Sequence, residues 1–335
     1  MIDARRIKSI LVISLSNFGD VILTFPVIDI LMNDFPQASL SVVVGPKGET
    51  VLCGHPRIKK LYTYHKRQGW AWTLRWFLNL RKDPFDLIVD LRHTAMPFFM
   101  PARYKTPLIL RSRQDQHMSQ KHLDRLKTIY SRAQRSVPPR SLHISSRDSA
   151  FVSTTLQTMS KDTPFIAVAP GAADVGKRWS LAGFARFCDQ VMVRDHVGVV
   201  FIGDAGERPI VAEVMGMMTR PALDLSGRLT LPQVGALLQR AVLLVANDTA
   251  PMHLASYLNR PVLALFGPTD PRKYGPWGQT GCLIEHKDRC PACRGKAPGI
   301  RHSCMEAITQ QDLLDAFEIR SGRVIFKKPL KAIRE

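Results

Sequence analysis

Short runs of β-branched and aliphatic residues recur along this chain, each followed by a stretch of helical period, and they fall into two separate series. Such alternation is the mark of βα units assembled into parallel sheets. The first series predicts strands at Ile10–Leu15, Leu40–Val44, Leu87–Leu91 and Leu108–Leu110. The second predicts strands at Phe165–Ala169, Val197–Ile202, Ala222–Leu225, Leu243–Ala246 and Val262–Phe266. A polar stretch from Ser131 to Pro164, rich in Ser, Arg and Pro, lies between them. With 335 residues the chain exceeds what one hydrophobic core usually supports. The expectation is an α/β protein of two Rossmann-like, doubly wound domains, residues 1–160 and 161–335, facing a central cleft. In open sheets of this kind ligands bind just past the carboxyl ends of the strands, so the loops there are where chemistry is sought.

Charge narrows the partners. Lys plus Arg number 47 against 28 Asp plus Glu, a formal net charge of +19. An anionic partner follows, and nucleic acid, a phosphorylated substrate and an anionic membrane surface all satisfy it. Between Arg92 and Arg147 twelve Lys/Arg face two acids, Asp115 and Asp124, which points to a basic acceptor-facing or membrane-facing surface. The apolar start at Ile10 breaks at Ser16, Asn17, Gly19 and Asp20, unlike a signal peptide. No window approaches the ~20 apolar residues of a spanning helix. The expected location is cytoplasmic, with membrane contact only peripheral.

Four loops carry candidate chemistry. Ser14–Asp20 is a small-residue turn after the first strand; Asp20 fits either a helix cap or a general base taking a proton from a hydroxyl. Ala169–Trp179 nearly matches a phosphate-binding loop through Gly171, Gly176 and Lys177. Arg178 stands where that motif requires Ser or Thr for magnesium, which excludes an ordinary NTPase loop. What remains is a lysine able to neutralise a diphosphate, or a solvated lysine. Val245–Ala255 reads as a strand ending in Asn247-Asp248, then a helix opened by Thr249, Ala250 and Pro251 and containing His253. That helix start is a natural phosphate site, and ordinary N-capping satisfies the same spacing. Phe201–Glu207 places an acid after a strand, suited either to ribose hydroxyls or to the helix dipole, and lacks G-x-G-x-x-G.

Cys290, Cys293 and Cys304, with Cys282 and His302 nearby, contain only one closely spaced pair, where zinc sites commonly have two. This spacing argues for reduced, partly buried thiols and no metal ligands.

Taken in order, Ile10–Pro26, Pro170-Gly171 with Lys177-Arg178-Trp179, Asn247–Ala255, Phe266–Pro271 and the Cys290–Met305 cluster resemble glycosyltransferase family 9, the ADP-heptose:lipopolysaccharide heptosyltransferases. The resemblance implies a GT-B fold and an inverting enzyme that moves heptose from ADP-heptose to a lipopolysaccharide inner-core acceptor of the lipid A–Kdo type, with no obligatory cofactor. It assigns Asp20 as general base and Lys177 to the donor diphosphate. Glu207, Asp248, Thr249, Ala250 and His253 become donor-binding, and Ser16, Asn17, Gly19, Arg92 and Arg113 acceptor-side residues. The N-terminal domain would receive the acceptor and lie against the anionic inner-membrane surface. Three departures from the family pattern stand out. Asp248-Thr249-Ala250-Pro251 replaces Asp-Ser-Gly-Pro, Asn17-Phe18 replaces a smaller or Met/Leu pair, and the cysteine pattern is incomplete between Cys293 and Cys304, again arguing against a metal. The competing readings are a family relative using another nucleotide sugar or acceptor, and a basic nucleic-acid-binding protein. No aromatic/basic RNA-binding pattern or zinc-finger spacing supports the latter, so no nucleic acid is expected.

Overall fold

The central strands are nearly continuous apolar runs, the pattern of a parallel sheet covered by helices on both faces. The computed structural model describes residues 2, 6–14, 16–109, 115–131, 138–139, 141–159, 163–278, 281–295 and 302–324. They form two compact units, Met1–His143 and Ile144–Glu335.

The first unit comprises β1 (Ser9–Ile13), α1 (Phe18–Asp34), β2 (Ser39–Val44), α2 (Pro46–Leu52), β3 (Ile58–Thr63), α3 (Trp70–Leu80), β4 (Leu87–Asp90), β5 (Tyr104–Lys105) and α4 (Met118–Lys127). Its sheet is parallel, in the order β3-β2-β1-β4-β5. β1 is buried along Ile10–Ile13 and β4 along its whole length. α1 is apolar nearly all round and buried from Val21 to Met32 apart from Pro26, so it is a core helix. Its buried Asp29 is satisfied by Ser141, whose amide and hydroxyl donate at 2.7 and 2.6 Å.

The second unit comprises α5 (Ser146–Leu156), β6 (Phe165–Ala169), α6 (Leu181–Arg194), β7 (Gly198–Phe201), α7 (Arg208–Met217), β8 (Leu223–Asp224), α8 (Leu231–Arg240), β9 (Leu243–Asn247), α9 (Ala250–Tyr257), β10 (Val262–Phe266), α10 (Pro271–Tyr274), β11 (Gly281–Glu285) and α11 (Gln310–Val324). Its sheet is also parallel, ordered β11-β10-β9-β6-β7-β8. One face is filled by Phe184, Phe187, Val191, Leu313 and Phe317 packed on β6, β7, β9 and β10.

The expected α/β class and doubly wound sheets are present. Two edge strands, β3 and β11, were not anticipated. β3 carries Lys59 and Lys60 in place of an apolar run, as a sheet edge does to discourage further pairing. The strand expected at Leu108–Leu110 is corrected. The pairing with β4 is made by Tyr104 and Lys105, while Leu108 and Ile109 are exposed and in no strand; Leu110 lies outside the described residues. Pro107, which has no N–H for a ladder, intervenes. α5 packs on α8 within the second unit, ahead of the expected boundary after residue 160. No helix among the described residues is long and apolar enough to cross a membrane.

Candidate active site

In the second unit the strand order reverses between β6 and β9, because the chain runs from β6 out to β8 and then returns to lay β9 on the other side. This switch point is where open α/β sheets bind ligands. Asn247, the last residue of β9, spans it. Its Nδ2 donates to Pro170 O at 2.8 Å and its Oδ1 accepts from Trp179 N at 3.2 Å, tying the strand end to both ends of the 170–179 loop.

Within that loop Asp174 caps a single 3-10 turn, Val175–Lys177, by accepting from Gly176 N at 2.9 Å. The turn presents Lys177, whose Nζ donates to Asp248 Oδ2 at 2.7 Å. On the other side of the carboxylate, Asp248 Oδ1 is 3.9 Å from His253 Nε2. Lys177 is ion-paired while 30% of its side chain stays exposed, and Asp248 precedes the N-cap residue, Thr249, whose own side chain makes no capping bond. α9 opens with Pro251 in its first turn. The first amides that turn back onto Thr249 O are those of Met252 and His253. The N–H groups of Thr249 and Ala250 head the helix, at its positive end beside Asp248.

Glu207 enters from the loop after β7. It shares a capping box with Asp204: Asp204 N donates to Glu207 Oε2 at 2.9 Å and Glu207 N to Asp204 Oδ1 at 3.1 Å. Its carboxylate lies against Gly171 and Gly203, and a methyl on Gly171 would overlap it. Burial pushes the Glu207 carboxyl above the ordinary carboxylate range, opposed by the Asp204 amide and by the Arg178 charge. The loops after β6, β7 and β9 thus bring Lys177, Glu207, Asn247, Asp248, Thr249, Ala250 and His253 to one edge of one sheet.

In the first unit the corresponding reversal lies between β1 and β4. Asp20 sits in the first turn of α1 and accepts from Asn17 Nδ2 at 3.0 Å; Asn17 is the N-cap residue but makes no side-chain capping bond. Gly19 precedes Asp20 within that turn. The loop is held from both ends. Ser14 and Thr24 share a hydroxyl–hydroxyl bond of 2.8 Å, and Ser16 lies under Gly45, where a Cβ would stand 2.7 Å from Ser16 Cβ. Ser16 Oγ is buried without a hydrogen-bond partner. Arg92 follows β4. Its amide donates to Asp90 Oδ1 at 2.8 Å and its guanidinium lies 5.6 Å from the Tyr64 ring centre. The next residue, His93, has a φ of 57° and is held by Arg125, whose Nη1 is 2.7 Å from His93 Nδ1. Arg113 lies outside the described residues.

Sequence reasoning did not single out Asn247 as a bridging residue, nor Lys47, whose ammonium sits 5.9 Å from the Phe18 ring centre beside the Asp20 turn. Lys47 follows β2 directly after Gly45-Pro46, and that place past a strand end was the available signal. Arg125, read as part of a basic surface run, is 1% exposed and bonds through its guanidinium to the carbonyls of Asp90 and Pro107. The four potential ligand atoms of Cys290, Cys293, His302 and Cys304 converge, although spacing along the chain had counted only one close pair.

Residues 97–299, more than half of the chain, match glycosyltransferase family 9 (heptosyltransferase). Lipopolysaccharide heptosyltransferase 3 of Escherichia coli is 28% identical over 290 residues, covering 77% of this chain and 83% of that protein. A glycosyl transferase family 9 structure from Veillonella parvula superposes with a TM-score of 0.77 at 22% identity, covering 93% of this chain and 96% of that one. The E. coli ADP-heptose lps heptosyltransferase II superposes with a TM-score of 0.74 at 21% identity, covering 93% and 98%. The two parallel sheets have the GT-B type of fold seen in these enzymes, and the chain belongs to glycosyltransferase family 9, the heptosyltransferase family, as a sugar-transferring enzyme.

Proposed function

We propose that the protein transfers heptose, with inversion, from ADP-heptose to an inner-core lipopolysaccharide acceptor of the lipid A–Kdo type. The observation that carries this reading is the Lys177–Asp248 pair set at the start of α9. An ammonium and two helix-terminal amides, those of Thr249 and Ala250, are the groups a departing nucleoside diphosphate needs. Asp248 and His253 hold the donor sugar, and Glu207 holds the ribose. As the anomeric C–O bond breaks, negative charge grows on the diphosphate and Lys177 turns from Asp248 toward it. Asp20 takes the proton of the attacking acceptor hydroxyl, whose oxygen forms the new bond from the opposite face. Ser16, Asn17, Gly19 and Arg92 line the acceptor side, where Arg92 and Lys47 meet acidic sugar or phosphate groups. Electrostatic stabilisation of this kind requires no obligatory metal.

The enzyme works at the cytoplasmic face of the inner membrane, in this reading, through its first unit. α3 turns Trp70, Leu74 and Leu78 outward at successive i,i+4 positions, 82%, 49% and 50% exposed. Exposed Lys66, Arg67, Arg75, Arg81 and Lys82 lie in or beside the helix. An apolar stripe among basic residues suits an anionic bilayer surface.

The deciding experiment is a thermal-shift titration with ADP, UDP and GDP, with and without EDTA, followed by assay of heptose transfer from ADP-heptose to a Kdo-terminated lipid acceptor. A ligand that binds only the native state raises Tm. A shift specific to ADP that survives EDTA, together with transfer, is expected. A UDP- or GDP-specific shift overturns the donor, and no shift with any of them overturns the nucleotide-sugar reading.

A further inference from the structure

Cys290, Cys293, His302 and Cys304 form a cluster in which each side chain offers one ligand atom, and the four atoms lie within 4.8 Å of one another. Cys293 Sγ is 3.2 Å from His302 Nδ1 and 3.9 Å from Cys304 Sγ, and Cys290 Sγ is 3.9 Å from His302 Nδ1. A tetrahedral zinc ion, with Zn–S of about 2.3 Å and Zn–N of about 2.0 Å, sets its ligand atoms about 3.5–3.8 Å apart. The observed separations bracket that spacing. The sulfur–sulfur distance is near twice the ~2.05 Å of a disulfide, and all six cysteines are free. Ser303 N points at Cys290 Sγ from 3.4 Å, the kind of outer hydrogen bond that steadies a ligating thiolate.

We propose that these four residues bind one structural zinc ion. Three thiolates and an imidazole are a donor set suited to zinc, and four protein ligands close the tetrahedron, leaving no open position for substrate. The site joins the turn at Cys290–Cys293 to the segment that leads into α11. That segment backs the candidate active site. Met305, beside Cys304, occupies the space in front of Gly267, where a Cβ would stand 2.8 Å from its sulfur and 3.2 Å from Gly176 O. Ile308 O accepts from Trp179 Nε1 at 2.9 Å. The ion thus fixes the wall against which the Lys177 turn rests, whichever sugar the enzyme transfers.

The test is elemental analysis of the full-length, tag-free protein after an EDTA wash, with mercurial titration of its thiols into a zinc indicator. One zinc per chain, released by the mercurial, is expected. Cys293→Ser and His302→Ala should hold less than a tenth of that, and His302→Cys should retain it. His302 is exposed, so its replacement leaves the packed core intact. Cobalt exchanged into the wild-type protein should show the visible bands of a tetrahedral thiolate complex, absent from His302→Ala. A metal-free wild-type protein, or equal zinc in wild type and both ligand-removing variants, overturns the site. Stoichiometric iron in place of zinc overturns the choice of ion.

Discussion

Lys177 Nζ rests 2.7 Å from Asp248 Oδ2, and the two side chains are unequally buried, the lysine 30% exposed and the aspartate 6%. A lysine that is itself wet can leave such a carboxylate for an incoming diphosphate, whereas the carboxylate is fixed. Lys177→Met strands Asp248 without its cation. After discounting for the exposure of the lysine, stability should fall by about 1–2 kcal/mol, a drop in Tm of roughly 2–8 °C. The double variant Lys177→Met/Asp248→Asn should regain most of that loss. Both should lower kcat by about 10²–10³-fold, as removal of one transition-state donor does. Strictly additive stability effects across the cycle would show that the pair is not coupled.

Asp20, the proposed base, presents the opposite case, a residue with little structural duty. Its only described side-chain bond is the one it accepts from Asn17, and an acid in a first helical turn contributes about 0.3–1 kcal/mol. Asp20→Ala should therefore keep nearly the wild-type Tm and the full thermal shift with ADP while losing about 10²–10⁴-fold in transfer. Turnover within a few-fold of wild type would remove Asp20 from the role of base.

These two sites were legible in the sequence to different degrees. The central strands announced themselves because a strand buried on both faces must be an apolar run, and the loops that follow them were located with them. β3 and β11 were not visible, since a strand at a sheet edge need not be an apolar run: β3 reads Ile-Lys-Lys-Leu-Tyr-Thr and β11 Gly-Cys-Leu-Ile-Glu. Pairings across the fold were beyond reach for a related reason. Lys177 and Asp248 are separated by 71 positions, and local spacing offered capping and solvation as equal explanations for each. The cysteine cluster shows the limit most plainly. His302 and Cys304 meet the Cys290–Cys293 pair in space, at separations along the chain that a rule of two close ligand pairs does not contain.

The stripe on α3 leads to a prediction about location. Trp70, Leu74 and Leu78 face water wholly or in half, so replacing all three by Ser should cost no more than ~1.5 kcal/mol in all, at ~0.5 kcal/mol for each surface substitution, a fall in Tm of at most about 3–6 °C. Their loss from a bilayer interface is a different matter, because even partial burial of each large apolar side chain is worth about 1 kcal/mol or more. Sedimentation with anionic vesicles should show at least tenfold weaker binding for the triple variant, and weaker wild-type binding at high salt. Equal binding of the two proteins would dismiss α3 as the contact.

Acid stability provides a test of the first unit's interior. His122 is 3% exposed, and its Nε2 has no hydrogen-bond partner. Burial first, and then the positive charges of His93, Arg125, His117 and Lys121, push its pKa down to about 4 from the ordinary 6.5. The folded chain therefore refuses a proton that the unfolded chain accepts. The contribution to stability is whole above pH 6.5 and is lost as the pH falls toward 4, because in that window the unfolded state binds more protons. By pH 5 the loss attributable to this histidine is about 2 kcal/mol. Urea unfolding of wild type and His122→Leu at pH 7.5 and pH 5 should show the stability difference between the two pH values shrinking by about that amount in the variant. An unchanged pH dependence would mean that His122 is protonated in the folded protein, paired with a carboxylate or carbonyl brought to its Nε2.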